Sequence, residues 1–155
     1  MLNFNSPIKE QIKYNDLNII EVEPTIKINL RSNKREFSKK IGKILSILPP
    51  NEANTSSGNE KFNLLWLSPD EWLIYSNDKK MTLDDQINLE DKLFNEISKL
   101  NQGAVTNVSD HWIMINLKGN KVYDLLSKSC PYNFNDYKKK KGSVAQTIVN
   151  HIDVI

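Results

Sequence analysis

Apolar residues recur along this chain at two spacings, which predict strands in some segments and helices in others. Residues 17–22 and 26–30 are short apolar-rich segments, and the alternation within 26–30 is typical of a half-buried strand. Apolar residues three and four positions apart predict an amphipathic helix over residues 34–48. The polar segment 51–60 (NEANTSSGNE) has almost no apolar side chain and is predicted to be a loop.

The middle of the chain carries a hairpin pattern. Phe62–Leu67 and Trp72–Tyr75 predict two strands, because aromatic and branched side chains favour extended backbone. Ser68-Pro69-Asp70-Glu71 between them has the composition of a tight turn. A helix beginning at Pro69 is the alternative, since proline and early acidic residues also suit a helix start.

A long helix is predicted after this hairpin. Thr82 and Asp85 are three positions apart, which is the spacing of a capping box. The helical spacing continues to about residue 100, and Gly103 follows it. Its buried stripe is predicted to consist of Leu83, Ile87, Leu93, Phe94, Ile97 and Leu100.

The last third of the chain predicts the order strand, strand, helix, strand, strand. The strand patterns cover residues 104–108, 112–117, 144–149 and 151–155. A short helix containing Val122, Leu125 and Leu126 is predicted before Cys130-Pro131. We expect 112–117 to be a central strand, with a right-handed crossover to 144–149 if those two strands are parallel.

Helices segregated from hairpin-rich sheet segments predict an α+β fold, built from two βαβ-type halves with mixed or antiparallel sheets. Residues 1–15 are polar with isolated apolar positions and are expected to form an N-terminal arm. Residues 16–155 are expected to form a single domain. The chain stops inside a predicted strand, so we expect a neighbour or further residues to cover that strand.

Composition narrows the class of protein. The chain has 21 basic and 19 acidic residues, and only Arg31 and Arg35 are arginine, so the lysine excess is typical of AT-rich coding. A pI of about 8.5 falls short of a dedicated nucleic-acid binder. No secretory signal and no apolar run long enough for a transmembrane helix are found, and the single Cys130 fits a reducing compartment. We therefore predict a cytoplasmic protein without a nucleic-acid or membrane partner.

No catalytic constellation emerges from the candidate residues. His111 and His151 are 40 positions apart, and Asp110 precedes His111 where adjacent strand residues would face opposite sides. We interpret both histidines as surface residues, and Cys130, at the end of a helix, as a packing residue rather than a nucleophile. Asp70 and Glu71 are interpreted as turn residues rather than catalytic carboxylates.

Three further features have a functional and a structural interpretation. The run Lys138–Lys141 is compatible with phosphate binding, but a solvated loop is favoured. Trp66, Trp72 and Trp112 are compatible with a ligand site or an interface, but core packing is favoured. The five glycines are scattered, so neither a phosphate-binding loop nor a dinucleotide fingerprint is present.

Two stretches go beyond a generic pattern. One is residues 65–74 (LWLSPDEWLI), and the other runs from residue 104 (AVTNVSD) through a strand, a helix and Cys130-Pro131 to residues 142–147 (GSVAQT). Over about residues 62–150, their order and spacing resemble the gamma subunit family of heterotetrameric sarcosine oxidase. Ser68, Asn107 and residues 132–134 depart from the family pattern, where Gly, Asp and a Leu-Asp-Leu type of run are usual.

The resemblance implies a fold like the folate-binding domain of glycine cleavage T-protein. It implies a non-catalytic structural or assembly subunit that packs against the large alpha subunit, with beta and delta subunits as further partners, in sarcosine catabolism and one-carbon metabolism. FAD, FMN, NAD and tetrahydrofolate are expected in the whole complex and none on this chain. The positions implied to be structural or interface residues are Pro69, Asp70, Glu71, Trp72, Ser109, Asp110, Gly119, Cys130, Pro131, Gly142, Gln146 and Thr147.

Family members usually continue by another strand and a helix, so we expect residues 16–155 to lack those two elements. Two alternatives remain open. One is a stand-alone folate-binding protein of the T-protein or tRNA-modification type, although residues 141–147 (KGSVAQT) lack the Cys, Tyr and Glu of the tRNA-modification signature. The other is an interaction module without a link to amine oxidation.

Overall fold

The computed structural model describes residues 5–8, 12–134 and 140–155, and the predictions for 1–4, 9–11 and Lys138–Lys139 lie outside these ranges. The strands are β1 Ile12–Tyr14, β2 Leu17–Glu21, β3 Lys27–Arg31, β4 Ser56–Gly58, β5 Phe62–Ser68, β6 Glu71–Ser76, β7 Ala104–Asn107, β8 Ile115–Lys118, β9 Thr147–Val149 and β10 Ile152–Val154. The helices are α1 Phe37–Leu45, α2 Leu83–Leu93, a π-helical turn Phe94–Ser98, and α3 Val122–Ser129.

A five-stranded sheet in the order β4-β5-β6-β3-β7 forms the centre of the molecule. All of its pairings are antiparallel, and Leu30 lies opposite Trp72 on β6 and Val105 on β7. Alternate residues of the central strands therefore share one face, which is covered by α1 and the end of α2. The apolar spacing of α1 buries Phe37 and Ile41 against that face, as the sequence predicts.

The buried core comes from one part of the chain. Its cluster of buried residues begins at Ile26 and ends at Ile97. After Ile97, only Cys130 and Val144 are buried apolar residues within the described ranges. The last third of the chain therefore adds little to this core, mainly through β7, whose Val105 packs against it while partly buried.

The predicted capping box of α2 is confirmed, since the Thr82 hydroxyl accepts from the Asp85 amide and the Asp85 carboxylate accepts from the Thr82 amide. The predicted buried stripe is only partly right. Leu93 and Ile97 are fully buried, whereas four members are largely exposed: Leu83, Ile87, Phe94 and Leu100. One turn of π-helix after Leu93 shifts the register of the later residues around the helix axis.

A separate three-stranded sheet has the antiparallel order β1-β2-β8. Residues 12–14 are thus a strand, although they lie in the segment predicted to be an N-terminal arm. The strand predicted at 112–117 is shifted to 115–118, and it lies at the edge of this sheet rather than at its centre. Local apolar patterns cannot tell an edge strand from a central one, because position in a sheet depends on distant partners.

Two other predictions need correction, and the condition attached to a third is not met. The segment 51–60, predicted as a loop, contains β4, which pairs with β5 through the register Ser57 to Leu64. β8 and β9 lie in different sheets, so no crossover joins them within one sheet. The predicted strand at 144–149 is limited to 147–149, which forms an antiparallel hairpin with β10. The α+β class with antiparallel sheets is confirmed.

Candidate functional site

The turn between β5 and β6 holds the first group of predicted site residues. A bulge after Trp66 precedes the turn, and β6 begins at Glu71, so the alternative helix starting at Pro69 is wrong. The Ser68 hydroxyl donates to Asp70 Oδ1 at 2.7 Å, and this bond lowers the pKa of the Asp70 carboxyl. The Asp70 carbonyl accepts from the backbone amide of Ser32 at 2.9 Å, which joins the turn to the end of β3.

Arg31 on β3 lies beside both carboxylates of this turn. Its guanidinium is 4.0 Å from Asp70 and 3.8 Å from Glu71, and the Asn29 side-chain amide donates to Glu71 Oε1 at 2.7 Å. Pro69 is exposed at the tip. The two acidic residues are therefore held by partners on β3, as turn and strand-pairing residues.

Trp72 follows Glu71 on β6 and therefore lies on the opposite face of the central sheet. Its indole N–H donates to the Pro50 carbonyl at 2.8 Å, and its ring stacks on Phe37. The core prediction is confirmed for Trp72, whereas Trp66 and Trp112 are half-buried.

Ser109 anchors the turn after β7 to the start of β3. Its hydroxyl accepts from the Lys27 backbone amide at 3.0 Å, and its carbonyl accepts from Lys27 Nζ at 3.1 Å. Lys27 is only 4% exposed, and burial lowers the pKa of its ammonium, with the neighbouring Asp110 charge opposing that change. Asp110 itself is exposed and followed by the exposed His111. The sequence gives no sign that Lys27 is buried, since lysine is usually a surface residue.

Gly119 lies in the turn between β8 and α3 and touches the β1–β2 turn. Its φ is 129°, and a Cβ at this position would lie 2.1 Å from the Asp16 carbonyl oxygen. Only glycine combines this backbone angle with so close an approach. Gly119 therefore permits two neighbouring turns to meet.

Cys130 and Thr147 connect the end of α3 to β9. The Cys130 thiol is buried, and its sulfur lies 3.4 Å from the Thr147 hydroxyl. The backbone amide of Asn150 donates to the Ser129 carbonyl at 2.9 Å and reinforces the same junction. Pro131 is exposed and follows the helix end. Burial of Cys130 agrees with its interpretation as a packing residue.

Gly142 and Gln146 join the C-terminal segment to the central sheet. The Gly142 carbonyl accepts from the amide and hydroxyl of Ser56, at 2.9 and 2.8 Å. The Gln146 side chain donates to the Leu67 carbonyl at 2.6 Å, and the Val144 amide donates to the Asn54 carbonyl at 2.8 Å. The segment 142–146 therefore lies along the β4 side of the sheet.

These contacts enclose a cleft of about 560 Å³ between the open face of the central sheet and the β9–β10 hairpin. It unites three of the predicted site residues, Glu71, Gln146 and Thr147. The structure adds three lining residues that the sequence prediction did not single out as one site: Asn29, Trp112 and Asp153. Asn29 and Glu71 are diagonal neighbours on adjacent strands and are joined by a side-chain hydrogen bond, which only the pairing of β3 with β6 reveals.

The motif residues described above make contacts that hold turns and strands together, rather than contacts typical of a catalytic site. His111 contacts the edge of Trp112, with 5.2 Å between ring centroids, and is not joined to Cys130. Among the described residues, no three His, Cys, Asp or Glu side chains are grouped as a metal site would require. Within those ranges, each helix is also too short or too polar to cross a bilayer.

The fold and the site together define an α+β chain whose motif residues join its turns and layers. The model of the sarcosine oxidase gamma subunit family matches residues 35–154, so the chain belongs to that family. A chain of the heterotetrameric sarcosine oxidase from Corynebacterium sp. U-96, solved in complex with pyrrole 2-carboxylate, has the same fold. The TM-score is 0.76 at 20% sequence identity, covering 93% of this chain and 71% of that chain. None of the curated proteins is significantly similar to this chain.

Proposed function

We propose that this chain is a structural, non-catalytic subunit of a heterotetrameric oxidase that acts on sarcosine or another N-methyl amine. The match of the gamma subunit family model to residues 35–154 is the observation that carries the proposal. The shared fold with a chain of a solved heterotetrameric sarcosine oxidase supports it. The partners that we propose are the alpha, beta and delta subunits, with the large alpha subunit in direct contact.

The partners of the motif side chains support a structural role. Asp70 is bonded by Ser68, Trp72 by the Pro50 carbonyl, and Gln146 by the Leu67 carbonyl. A catalytic residue needs its reactive atom free to meet a substrate within about 3 Å. These side chains instead hold turns and segments of the chain against one another, and residues 16–155 act in this proposal as one T-protein-like domain.

We assign the FAD, FMN, NAD and tetrahydrofolate of such a complex to the other subunits. A cofactor phosphate needs a loop of free backbone amides, as at a strand–glycine–helix turn. The turn at Gly119 has that order of elements, but the Lys121 backbone amide at its helix end donates to the Asp16 carbonyl at 3.2 Å and is not free for a phosphate. The residues of this turn therefore do not fit a nucleotide. The single Cys130 supports a cytoplasmic location for the complex.

Co-expression of this chain with the other three subunits tests the proposal. An affinity tag on the alpha subunit should recover all four chains in constant proportion. We assign the flavin-dependent oxidation of sarcosine to the beta subunit, and the rate of that step should not change when this chain is added. Recovery of the other three subunits without this chain, under conditions that keep it folded, would contradict the proposal.

A further inference from the structure

Helix α2 carries apolar side chains on two sides. Leu93 and Ile97 face the core and are fully buried. Leu83, Ile87 and Phe94 are 71%, 48% and 50% exposed, and at 3.6 residues per turn they lie within about 40° of one another around the helix axis. Leu100, 52% exposed, follows shortly after the π-helical turn. We call these four residues the outer stripe.

The outer stripe differs from the scattered apolar residues that any surface carries. Single exposed apolar side chains are normal, but here three share one side of a helix and a fourth, Leu100, lies in the turn after it, which concentrates exposed apolar surface on that side. Helix α1 provides the comparison within the same molecule, because Phe37, Ile41 and Leu45 are buried and its remaining branched residue, Ile44, is partly buried against the same core. Among the described residues, the outer stripe has no other part of the chain packed over it that would explain its composition.

The flank of the outer stripe is acidic. From Leu83 to Ser98 the chain has five acidic residues and one lysine, Lys92. Asp85 is used in the capping box, Glu96 lies 3.8 Å from Lys40, and Glu90 accepts from Asn107.

The two remaining acidic residues, Asp84 and Asp91, form no ion pair within the described part of the chain. They are seven positions apart, so they lie on the same side of α2, next to Ile87. The charges along this flank of the stripe are thus available to a partner.

The apolar outer stripe and its acidic flank together favour one kind of partner. Anionic lipid surfaces and nucleic-acid phosphates would be repelled by Asp84 and Asp91. A second copy packed through the same stripe would place these like charges against each other. A protein surface with apolar side chains flanked by lysine or arginine is complementary to both the apolar outer stripe and its acidic flank.

We propose that the outer stripe of α2 is the docking surface for a basic-flanked apolar surface of another subunit of the complex. The inference rests on the proposed function and names the face through which this chain assembles. Leu83, Ile87 and Phe94 supply the apolar contact, and Asp84 and Asp91 orient the partner by its basic residues.

The test is incorporation of the full chain into the co-expressed complex, with a tag on the alpha subunit. The variant Ile87→Ser/Phe94→Ser removes the apolar contact, and Asp84→Lys/Asp91→Lys reverses the flank. Ile152→Ser is the matched control, since Ile152 is 68% exposed on β10, away from α2. We expect each double variant to bind about tenfold or more weakly than wild type, and Ile152→Ser to bind as wild type.

Salt dependence separates the two contributions. Binding of the Ile87→Ser/Phe94→Ser variant should keep the wild-type weakening by salt, whereas Asp84→Lys/Asp91→Lys should lose it. If circular dichroism shows that the serine variant does not fold, the charge-reversed variant decides alone, because it removes no apolar contact. Wild-type incorporation with both double variants unaffected would overturn this inference only. Failure of the wild-type chain to incorporate would overturn the proposed function as well.

Size measurement of this chain alone checks the choice of partner. We expect the isolated wild-type chain and the Ile87→Ser/Phe94→Ser variant to have the same oligomeric state in solution. A dimer that these substitutions dissociate would assign the outer stripe to a second copy and overturn the proposal.

Discussion

The indole ring of Trp72 stacks on the ring of Phe37, with 5.2 Å between centroids and 27° between planes. One ring belongs to the central sheet and the other begins α1, and the indole N–H bonds the Pro50 carbonyl beyond that helix. A single side chain therefore joins the sheet, the helix and the segment that leaves it.

Trp72→Phe should lower the free energy of unfolding by about 1–3 kcal/mol, because it removes the hydrogen bond to Pro50 and leaves unfilled volume. Urea unfolding followed by circular dichroism measures the change. Trp66→Phe is the matched control, because Trp66 is half-buried and no indole hydrogen bond is found for it among the described contacts. Equal losses in the two variants would show that the Pro50 bond contributes nothing.

The capping box of α2 should make stability depend on pH in the acid range. Hydrogen bonds from the Thr82 hydroxyl and amide lower the pKa of Asp85 in the folded protein. The resulting stabilisation is present above the pKa of the unfolded chain, about 3.9, and is lost as pH falls through the lower folded pKa.

In Asp85→Asn, the free energy of unfolding should therefore fall less steeply as pH is lowered through the acid range, the acid limb of a plot of this free energy against pH. Asp84→Asn leaves the capping box intact and should keep the wild-type limb. An unchanged acid limb in Asp85→Asn would rule out this contribution. Thr82→Ala, which removes the cap itself, should cost about 1 kcal/mol at neutral pH.

Lys27 should make stability depend on pH at the alkaline end as well, again with stability rising as pH rises. Burial lowers its pKa in the folded state, so the unfolded chain binds the proton more tightly. Stability should then rise as pH increases from the folded pKa towards the unfolded value of about 10.4.

Lys27→Met keeps the buried methylenes and removes the charge, so the alkaline rise should disappear in that variant. Lys118→Met, at an exposed position of β8, is the control and should keep it. Tyr75 acts in the other direction, since burial raises its pKa, and it is unchanged in both variants. A rise that persists in Lys27→Met would assign it to another group.

Gly119→Ala should destabilise the protein by about 1–3 kcal/mol or more, because an alanine would be strained at a φ of 129° and would collide with the Asp16 carbonyl. Gly42→Ala, inside α1, is the control. There a Cβ meets only the terminal carbon of the Leu48 side chain, which is 67% exposed and can move. Thermal unfolding should therefore separate the two variants clearly, and similar midpoints would contradict the role given to Gly119.

A reduced folate should not bind this chain at micromolar concentration. The cleft beside Trp112 is lined by Glu71, whose charge is partly offset by Arg31, and by Asp153, which forms no ion pair among the described residues and repels the anionic glutamate tail of a folate. Isothermal titration of the full chain with 5-formyltetrahydrofolate checks this, with Glu71→Gln/Asp153→Asn as the comparison. Micromolar binding by wild type would favour the stand-alone folate-binding alternative over a purely structural subunit.

Local sequence chemistry predicted the elements that depend on local contacts. The Thr82–Asp85 cap, the hairpin around Pro69 and the helix beginning near Phe37 all follow from residues close together in the chain. The α+β class was predictable from the order of these elements. The family motifs also selected residues with defined structural contacts, such as Gly119 and Gln146.

What escaped prediction depends on distant partners. Ser56–Gly58 looks like a loop because its pairing with β5 uses backbone groups that any sequence provides. Leu83 and Ile87 fit a core stripe by spacing alone, since periodicity identifies an apolar side without telling whether it faces the chain's own core. The buried position of Lys27 also involves a distant partner, since its ammonium donates to the carbonyl of Ser109, which is 82 positions away.

The contacts of residues 142–146 connect positions that are far apart in the chain. Gln146 and Leu67 are separated by 79 positions, and Ser56 and Gly142 by 86. Closing loops of this length costs entropy that must be repaid by contacts formed at the end of folding. Residues 142–146 are therefore expected to dock last, after the central sheet has brought β4 and β5 together. Until they dock, the outer backbone edge of β4 is unpaired, and an unpaired strand edge is a template for pairing with another chain.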